Sequence, residues 1–358
     1  MSHPMSYTVG WICAIEIEYT AAQTFLDNKH DSPASLSPHD TNHYTLGDIV
    51  GHNVVMAVLP DGEYGTSSAA IVLAHMLESF PNIQIGLMVG IGGGAPTQRN
   101  DIRLGDVVVS SPKDGSAGVY RYDYGKTIQG RDFLQTGFLN QPSPIVRSAV
   151  TGLKSKYRQR GHRIEETIES ILEKWPRLRE DFSRPPPESD RLYISSFVHS
   201  GNVSCDGHCA FRLDKIITRP RRQVNQDNPR VHHGIIASGN QLMKDAFIRD
   251  QYSEEQNILC FEMEAAGIMN QLPCLVIRGI CDYSDSHKSD NWQGYAAMAA
   301  AAYTRDLLGE MHRTQVAGRR SVVLIMLTLV IILANLLASL LEWLGSIFVA
   351  TIGKAFGI

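Results

Sequence analysis

The sequence has little that would direct it to nucleic acid or to the secretory pathway. Its 33 Lys and Arg residues are outnumbered by 37 Asp and Glu residues, and the net charge of −4 gives no basic field for a nucleic-acid partner. The N-terminal stretch MSHPMSYTVG lacks the basic and then apolar pattern of a signal peptide. The six cysteines are therefore expected to be reduced thiols in the cytosol.

Long hydrophobic runs are scarce, with one exception. Residues 321–341 carry no charge, and as a helix they would span about 32 Å, close to the roughly 30 Å hydrocarbon core of a bilayer. Basic residues precede the run and Trp343 follows it, which suits a span with its N-terminal side in the cytosol. We expect residues 316–358 to anchor a cytosolic domain to a membrane. The alternative is a buried core helix or a helix at an oligomer interface. Asn335 supports this alternative, because a polar amide within a bilayer needs a partner helix.

Strand and helix patterns alternate through the rest of the chain. Apolar runs indicate strands at 7–14, 44–49, 53–59, 83–89, 107–110, 235–238 and 275–281, and amphipathic patterns indicate helices at 16–26, 66–80, 242–250, 264–270 and 292–308. The alternation predicts an α/β domain over 1–315, with a mixed or largely parallel sheet and helices on both faces. The charged and proline-containing stretch at about 152–233 is interpreted as an insertion in this domain.

Three acidic motifs lie at the ends of apolar runs. They place Glu18 after the first strand, Glu264 within FEMEAA, and Asp282 within RGICDYSD. Carboxylates at strand ends border the usual ligand crevice of α/β sheets, and they suit a base, a sugar clamp and an acid. Each residue also has a purely structural alternative. Glu18 would be a solvated Glu in the first turn of a helix, Glu264 would lie at an exposed acidic strand end, and Asp282 would be an Asp in a turn.

Two further patterns point to weaker hypotheses. The run 90–94 reads GIGGG and no helix pattern opens directly after it, so it favours a flat backbone beside a planar or sugar ligand, or a tight turn, over a dinucleotide fingerprint. Cys205 and Cys209 with His199 and His208 resemble a zinc ligand set, but the C-x₃-C spacing has no second pair. We therefore expect no metal and no cofactor.

Six segments between about residues 6 and 310 resemble one known superfamily. They are WICAIEIEYTAA, GLMVGIGGGAP, DIRLGDVVVS, GIIASGNQLMKD, CFEMEAAGIM and RGICDYSDSHK. In this order they resemble the nucleoside phosphorylase/nucleosidase superfamily, and in particular the phosphorylase-like domains of fungal immune-receptor-type proteins. The resemblance implies a three-layer α/β sandwich with a central mixed β-sheet. It also implies cleavage of the N-glycosidic bond of purine nucleosides or nucleotides, with homo-oligomers common among relatives.

The resemblance also implies roles for individual residues. Glu18 would activate water, Glu264 would hold the ribose with Met263 beside the sugar, and Asp282 would protonate the purine. The other expected substrate contacts are Gly92, Gly93, Ser238, Gly239, Leu242 and Arg278.

The choice between water and phosphate as co-substrate rests on two departures from the phosphorylase pattern. Met88 and Ile91 stand where phosphorylases usually have an Arg and a Ser or Thr, which favours hydrolysis. Phosphate contacts could still come from Arg121, Arg219, Arg221 and Arg222. A phosphate-dependent phosphorylase, and a membrane-tethered signalling or cell-death module that senses nucleosides, remain the alternatives.

Overall fold

The structure is a computed structural model that describes most of the chain as far as His312. The described residues are 2–113, 115–131, 133–199, 205, 209–223, 226–312, 330, 332–335, 337 and 339. Met1–Met311 form one compact unit and His312–Ile358 a second. The fold below is that of the first unit, and the predicted domain boundaries at 315 and at about 152–233 stay predictions.

The main sheet is mixed and buried at its centre, and a separate two-stranded sheet is mostly exposed. The strands are β1 (Val9–Cys13), β2 (Asn28–Lys29), β3 (Tyr44–Ile49), β4 (His52–Val58), β5 (Ile85–Gly94), β6 (Val107–Ser110), β7 (Val119–Arg121), β8 (Gly125–Lys126), β9 (Leu134–Gln135), β10 (Val231–Ser238), β11 (Ile258–Glu262) and β12 (Cys274–Asp282). The main sheet has the order β11-β10-β6-β12-β5-β1-β4-β3-β2, with β7 on β10. Because β11 also pairs with the end of β5, the strands β5, β12, β6, β10 and β11 form a closed ring.

Helices surround this sheet. They are α1 (Glu16–Thr24), α2 (Thr66–Ser79), α3 (Pro144–Arg160), α4 (Ile164–Lys174), α5 (Arg179–Phe182), α6 (Ala246–Gln256), α7 (Ala265–Ile268) and α8 (Gln293–Gly309). Short 3₁₀ turns occupy Pro4–Ser6, Pro176–Leu178, Pro187–Ser189, Leu213–Lys215 and Asp290–Trp292. The Ala-rich α8 is buried along most of its length, and α1, α3, α4 and α5 all contact it.

Helices cover both faces of the sheet. Gly10 faces α2 and pairs with Gly86 of β5, whereas Gly279 faces α8 and pairs with Ile91 of the same strand. Positions 86 and 91 are an odd number of residues apart, so they point to opposite faces. The mixed α/β fold predicted from the alternating patterns is therefore present.

The glycine run 90–94 is part of a strand and not of a turn. The sequence pattern predicts that the strand ends at residue 89, but β5 continues to Gly94 and pairs with β12 through Gly93. The apolar run stops because protein groups occupy the positions that side chains would take. An added Cβ would lie 2.0 Å from Glu18 Oε1 at Gly90 and 2.2 Å from Ser284 Oγ at Gly93.

The predicted transmembrane helix is wrong. Among the described residues no helix combines the length and the apolar character needed to cross a bilayer. The longest ones, α3 and α8, have 17 residues and reach about 26 Å, and both carry charged side chains. Most of 321–341 lies outside the described residues. The membrane anchor at 316–358 and the anchored localisation are withdrawn with the helix.

The contact between α8 and β12 depends on Gly279. An added Cβ there would lie 1.8 Å from the carbonyl oxygen of Ala296, so Gly279→Ala should lower the free energy of unfolding by about 3 kcal/mol. Gly152→Ala in α3 is the control, because its nearest neighbour would be Glu310 Oε2 at 3.7 Å. The control should be neutral or stabilising by about 0.5–1 kcal/mol. Equal effects of both changes in chemical denaturation would contradict this packing.

Candidate active site

Arg278 lies at the centre of the site. It is 1% exposed on β12, and three buried carboxylates face its guanidinium. Its Nη2 donates to Glu262 and, at 3.3 Å, to Glu264 Oε2, while its Nη1 lies 3.7 Å from Glu18 Oε1. Nη1 also donates to the carbonyl oxygen of Ile91 at 3.2 Å. One cation thus joins three carboxylates from two separate segments of the chain.

Glu18 is fixed by backbone amides as well as by Arg278. It lies in the first turn of α1, directly after β1, and is 3% exposed. Its Oε2 accepts from the amide of Ala14 at 2.6 Å and its Oε1 from the amide of Ile91 at 2.8 Å. The carboxylate occupies the space beside Gly90 where a Cβ would lie. The glycine therefore allows Glu18 to reach β5.

Glu262 and Glu264 have different partners although they are two residues apart. Glu262 ends β11 and accepts from the amides of Glu264 and Ala265 at the start of α7. Glu264 accepts from the amide of Gly65 at 3.2 Å, which brings the start of α2 to the site. Glu262 is thus committed to capping α7 and orienting Arg278, and Glu264 is the more available of the two.

The charges of the cluster do not balance. Three carboxylates face one guanidinium, so full ionisation leaves two surplus negative charges in a buried volume. Burial raises the pKa of Glu18 above its usual value, although Arg278 and the backbone amides oppose the shift. Burial raises the pKa of Glu264 to about 7. Arg278 opposes this increase, and the nearby carboxylates add to it. The protein therefore keeps at least one of these carboxyls partly protonated near neutral pH.

Asp282 lies at the end of β12, beside the glycine run. Its Oδ1 accepts from the amide of Ser284 at 2.7 Å, and its Oδ2 accepts from Lys288 Nζ at 2.9 Å. Asp282 pairs with Gly93, whose missing side chain leaves room for its carboxylate. A cavity of about 40 Å³ adjoins Asp282 and also contacts Cys205, Cys281 and other residues.

The end of β10 forms the next part of the site. Ser238 Oγ accepts from the amide of Ala266 at 2.9 Å and so helps to position α7, which follows Glu264. Gly239 packs against Tyr122 and Asp123, where a Cβ would be as close as 2.8 Å. Met263 is half-buried between the two glutamates of its motif. These residues surround the carboxylate cluster, as do Gly92 and Gly93.

Leu242 lies apart from the carboxylates. It is 53% exposed and, with Tyr122, Asp123 and Tyr252 among others, it lines a cavity of about 570 Å³. The helix predicted from residue 242 begins only at Ala246, so Leu242 is on the preceding loop. None of the residues that line this cavity belongs to the carboxylate cluster around Arg278.

The arginines considered as phosphate contacts mostly have carboxylate partners. Arg121 Nε lies 3.3 Å from Asp123, and its guanidinium stacks on Tyr124. Arg219 binds Asp190 at 2.9 Å, and Arg222 binds the buried Asp106. Arg221 is exposed. Their role as phosphate contacts therefore stays a prediction and gains no support from these pairings.

Sequence reasoning assigned no role to two residues of the site. Glu262 stands in the same motif as Glu264, and only the cap of α7 and the bond to Arg278 distinguish their tasks. Lys288 closes the last recognised motif, RGICDYSDSHK, six residues after Asp282. The presence of Lys288 and Asp282 in the same motif was the signal that could have identified this lysine.

The charge of Arg278 can be tested through stability. Without the guanidinium the buried carboxyls would be held more strongly protonated in the folded state, so stability should fall more steeply as pH rises. We expect Arg278→Met to cost about 3–5 kcal/mol at pH 8 and less at pH 5. Arg305→Met is the control, because its pair with Asp27 is about one-third exposed and should be worth under about 1 kcal/mol at both pH values. Similar losses for both variants at pH 8 would contradict the charge imbalance.

Comparison with known proteins adds relatives of two kinds. No protein-family model matches the chain. The chain is 44% identical over 306 residues to a nucleotide-binding leucine-rich repeat (NLR)-like protein of Hyaloscypha variabilis, covering 85% of this chain and 29% of that protein. It is 36% identical over 84 residues to the ATP nucleosidase Cap17 of Escherichia coli, covering 22% of this chain and 17% of that protein. The chain thus spans less than a third of the length of these relatives.

Solved structures share the fold over nearly their whole length. The 5′-methylthioadenosine/S-adenosylhomocysteine nucleosidase of Neisseria meningitidis has a TM-score of 0.53 at 16% identity, covering 85% of this chain and 99% of that structure. The futalosine hydrolase of Helicobacter pylori has a TM-score of 0.52 at 14% identity, covering 86% and 99%. The recognition from the motifs is confirmed, and the chain has the fold of the nucleoside phosphorylase/nucleosidase superfamily.

Proposed function

We propose that this protein cleaves the N-glycosidic bond of purine nucleosides or nucleotides, with water as the attacking group. The observation that carries the proposal is the cluster of Glu18, Glu262 and Glu264 around Arg278, next to Asp282 at the end of the same strand. The nucleosidases among the solved structures of this fold, and the nucleosidase name of the Cap17 relative, support the same reaction class.

The charge surplus suits the chemistry of the sugar. As the glycosidic bond breaks, the ribose gains positive charge in an oxocarbenium-like transition state. A fixed excess of negative charge in a buried site stabilises that charge more than the neutral ground state, and such preorganised electrostatics is a major source of rate. The imbalance that is unfavourable in the free protein thus becomes favourable during bond cleavage.

Each carboxylate then has a distinct task. Glu264 accepts hydrogen bonds from the vicinal hydroxyls of the ribose, with Met263 against the sugar. Glu18 aligns the attacking water and takes its proton, and its raised pKa makes it a better base. Asp282 gives a proton to the purine N7, and Lys288 stabilises the carboxylate that remains. Glu262 positions Arg278 and the start of α7.

Hydrolysis is favoured over phosphorolysis by the surroundings of β5. Met88 is fully buried in mid-strand, at a position where phosphorylases usually have a phosphate-binding Arg. The amide of Ile91 is engaged by Glu18 and is therefore not available to an anion. Arg121 is paired with Asp123. Phosphorolysis would require a phosphate site outside this strand.

The proposed substrate contains a purine, and the number of phosphates that it carries is the question for experiment. The name ATP nucleosidase of the Cap17 relative supports including nucleoside triphosphates among the candidates. The cavity of about 570 Å³ is lined by Tyr122 and Asp123, the two residues that Gly239 packs against. Adenosine, inosine, methylthioadenosine, AMP and ATP therefore form the first panel, each with and without phosphate.

The assignment of Glu18 is tested on the full chain by chromatographic measurement of free base. We expect release of base and ribose without phosphate, and a 10²- to 10⁴-fold lower rate for Glu18→Gln, an order of magnitude typical of general acid–base catalysis. Glu16→Gln is the matched control, because Glu16 is exposed on the same helix turn and bonds only locally to Thr20. Full turnover by Glu18→Gln would refute the assignment, and release of ribose-1-phosphate would make the protein a phosphorylase.

The ionisation of Glu264 predicts opposite pH effects on activity and stability. The folded-state pKa of Glu264 is about 7. We therefore expect kcat/KM to decrease as the pH is lowered through about 7, because Glu264 then becomes protonated. The raised pKa stabilises the folded state at low pH, and this contribution is lost as pH rises from about 4.5 through about 7. Glu264→Gln should lower activity and flatten the loss of stability over that range, measured by denaturation at several pH values. An unchanged pH profile of stability in Glu264→Gln would contradict the assignment.

A further inference from the structure

A second group of ligand-type side chains lies outside the carboxylate cluster. His199, Cys205 and Cys209 place one imidazole nitrogen and two sulfurs within 4.8 Å of one another. His199 Nδ1 is 3.1 Å from Cys209 Sγ and 3.7 Å from Cys205 Sγ. Cys209 is fully buried, and neither Cys205 nor Cys209 is in a disulfide bond. The sequence named His199 with these cysteines but gave little reason to expect a metal, and the structure brings the three ligand atoms together.

The two nitrogen–sulfur distances are close to those of a tetrahedral zinc site. With Zn–S bonds of about 2.3 Å and Zn–N bonds of about 2.0–2.1 Å, neighbouring ligand atoms lie about 3.3–3.8 Å apart. The two nitrogen–sulfur separations are close to that range. Zinc prefers imidazole and thiolate ligands, whereas magnesium and calcium prefer oxygen ligands. The ligand chemistry and the geometry therefore agree.

A second, independent observation comes from His287. Its side chain is 4% exposed, and among the described residues neither ring nitrogen has a hydrogen-bond partner, since the Asp285 carboxylate is 3.7 Å away. Its ring centroid lies 6.0 Å from that of His199. Buried polar groups are rarely left unsatisfied, and a water bound to an ion in the neighbouring cluster would give this imidazole a partner.

We propose that His199, Cys205 and Cys209 bind a zinc ion, with water as the fourth ligand. The ion would join the segment around 199–209 to the segment that follows Asp282. Two contacts already connect these segments: the amide of His199 donates to Ser286 Oγ at 2.9 Å, and Cys205 borders the cavity next to Asp282. Zinc in this position holds the segment 282–288 in place.

The proposal is tested with the full chain loaded with zinc sulfate and then gel-filtered. Elemental analysis should find about one zinc ion per chain in the wild type and in Cys274→Ala, a control cysteine at the start of β12. The Cys205→Ser/Cys209→Ser double variant should lose most of it. Cobalt in place of zinc should give a thiolate-to-metal charge-transfer band in the wild type and the control only.

Thermal unfolding gives a readout that does not require metal counting or activity. Chelation should lower the midpoint of the wild type and of Cys274→Ala, and leave that of the double variant unchanged, because a metal bound only by the folded state stabilises it. Equal zinc content in the wild type and the double variant would overturn the proposal. So would a wild type that retains no zinc and whose Cys205 and Cys209 form a disulfide in its presence.

Discussion

The guanidinium of Arg278 connects three carboxylates that reach it from α1, from the end of β11 and from the start of α7. Removing either sign of charge would leave the other buried and unpaired, which is costly in a low-dielectric interior. The cluster is nevertheless short of positive charge, and its pKa shifts express that shortage. A site in this condition is poised to accept a cation, and in the proposed reaction the substrate's own sugar becomes that cation.

Much of the backbone around the cluster is explained by the need to bring these carboxylates and Arg278 together. The glycines of β5 continue the strand without side chains, so that Glu18 can approach at Gly90 and Asp282 at Gly93. The pairing of β11 with the end of β5 brings the FEMEAA motif against the same strand. Ser238 and Glu262 together hold the first turn of α7, which fixes Glu264. The closed ring of strands is thus what brings distant motifs to one place.

Local patterns predicted many elements but not the contacts between them. The strands β1 and β12 followed from continuous apolar runs, and the buried α8 followed from its Ala-rich pattern. β11 was missed, since the four apolar residues before Glu262 do not distinguish a strand from a helix. The transmembrane prediction failed because it rested on the length of one apolar run. Glu18, Glu264 and Asp282 were selected by their motifs. His199 was grouped with Cys205 and Cys209 from the sequence, but the distances between their ligand atoms, like the pairing of Asp282 with Lys288, depend on the folded structure.

The most direct measurement of the central claim compares two inhibitors by calorimetry at pH 8. One is a purine linked to a cationic pyrrolidine that mimics the charged ribose, and the other is the neutral carbocycle of the same shape. If the carboxylate surplus stabilises a developing positive charge, the cation should bind at least about 10²-fold more tightly, as transition-state analogues do. That advantage should shrink in Glu264→Gln. Equal affinity of the two compounds for the wild type would contradict the account.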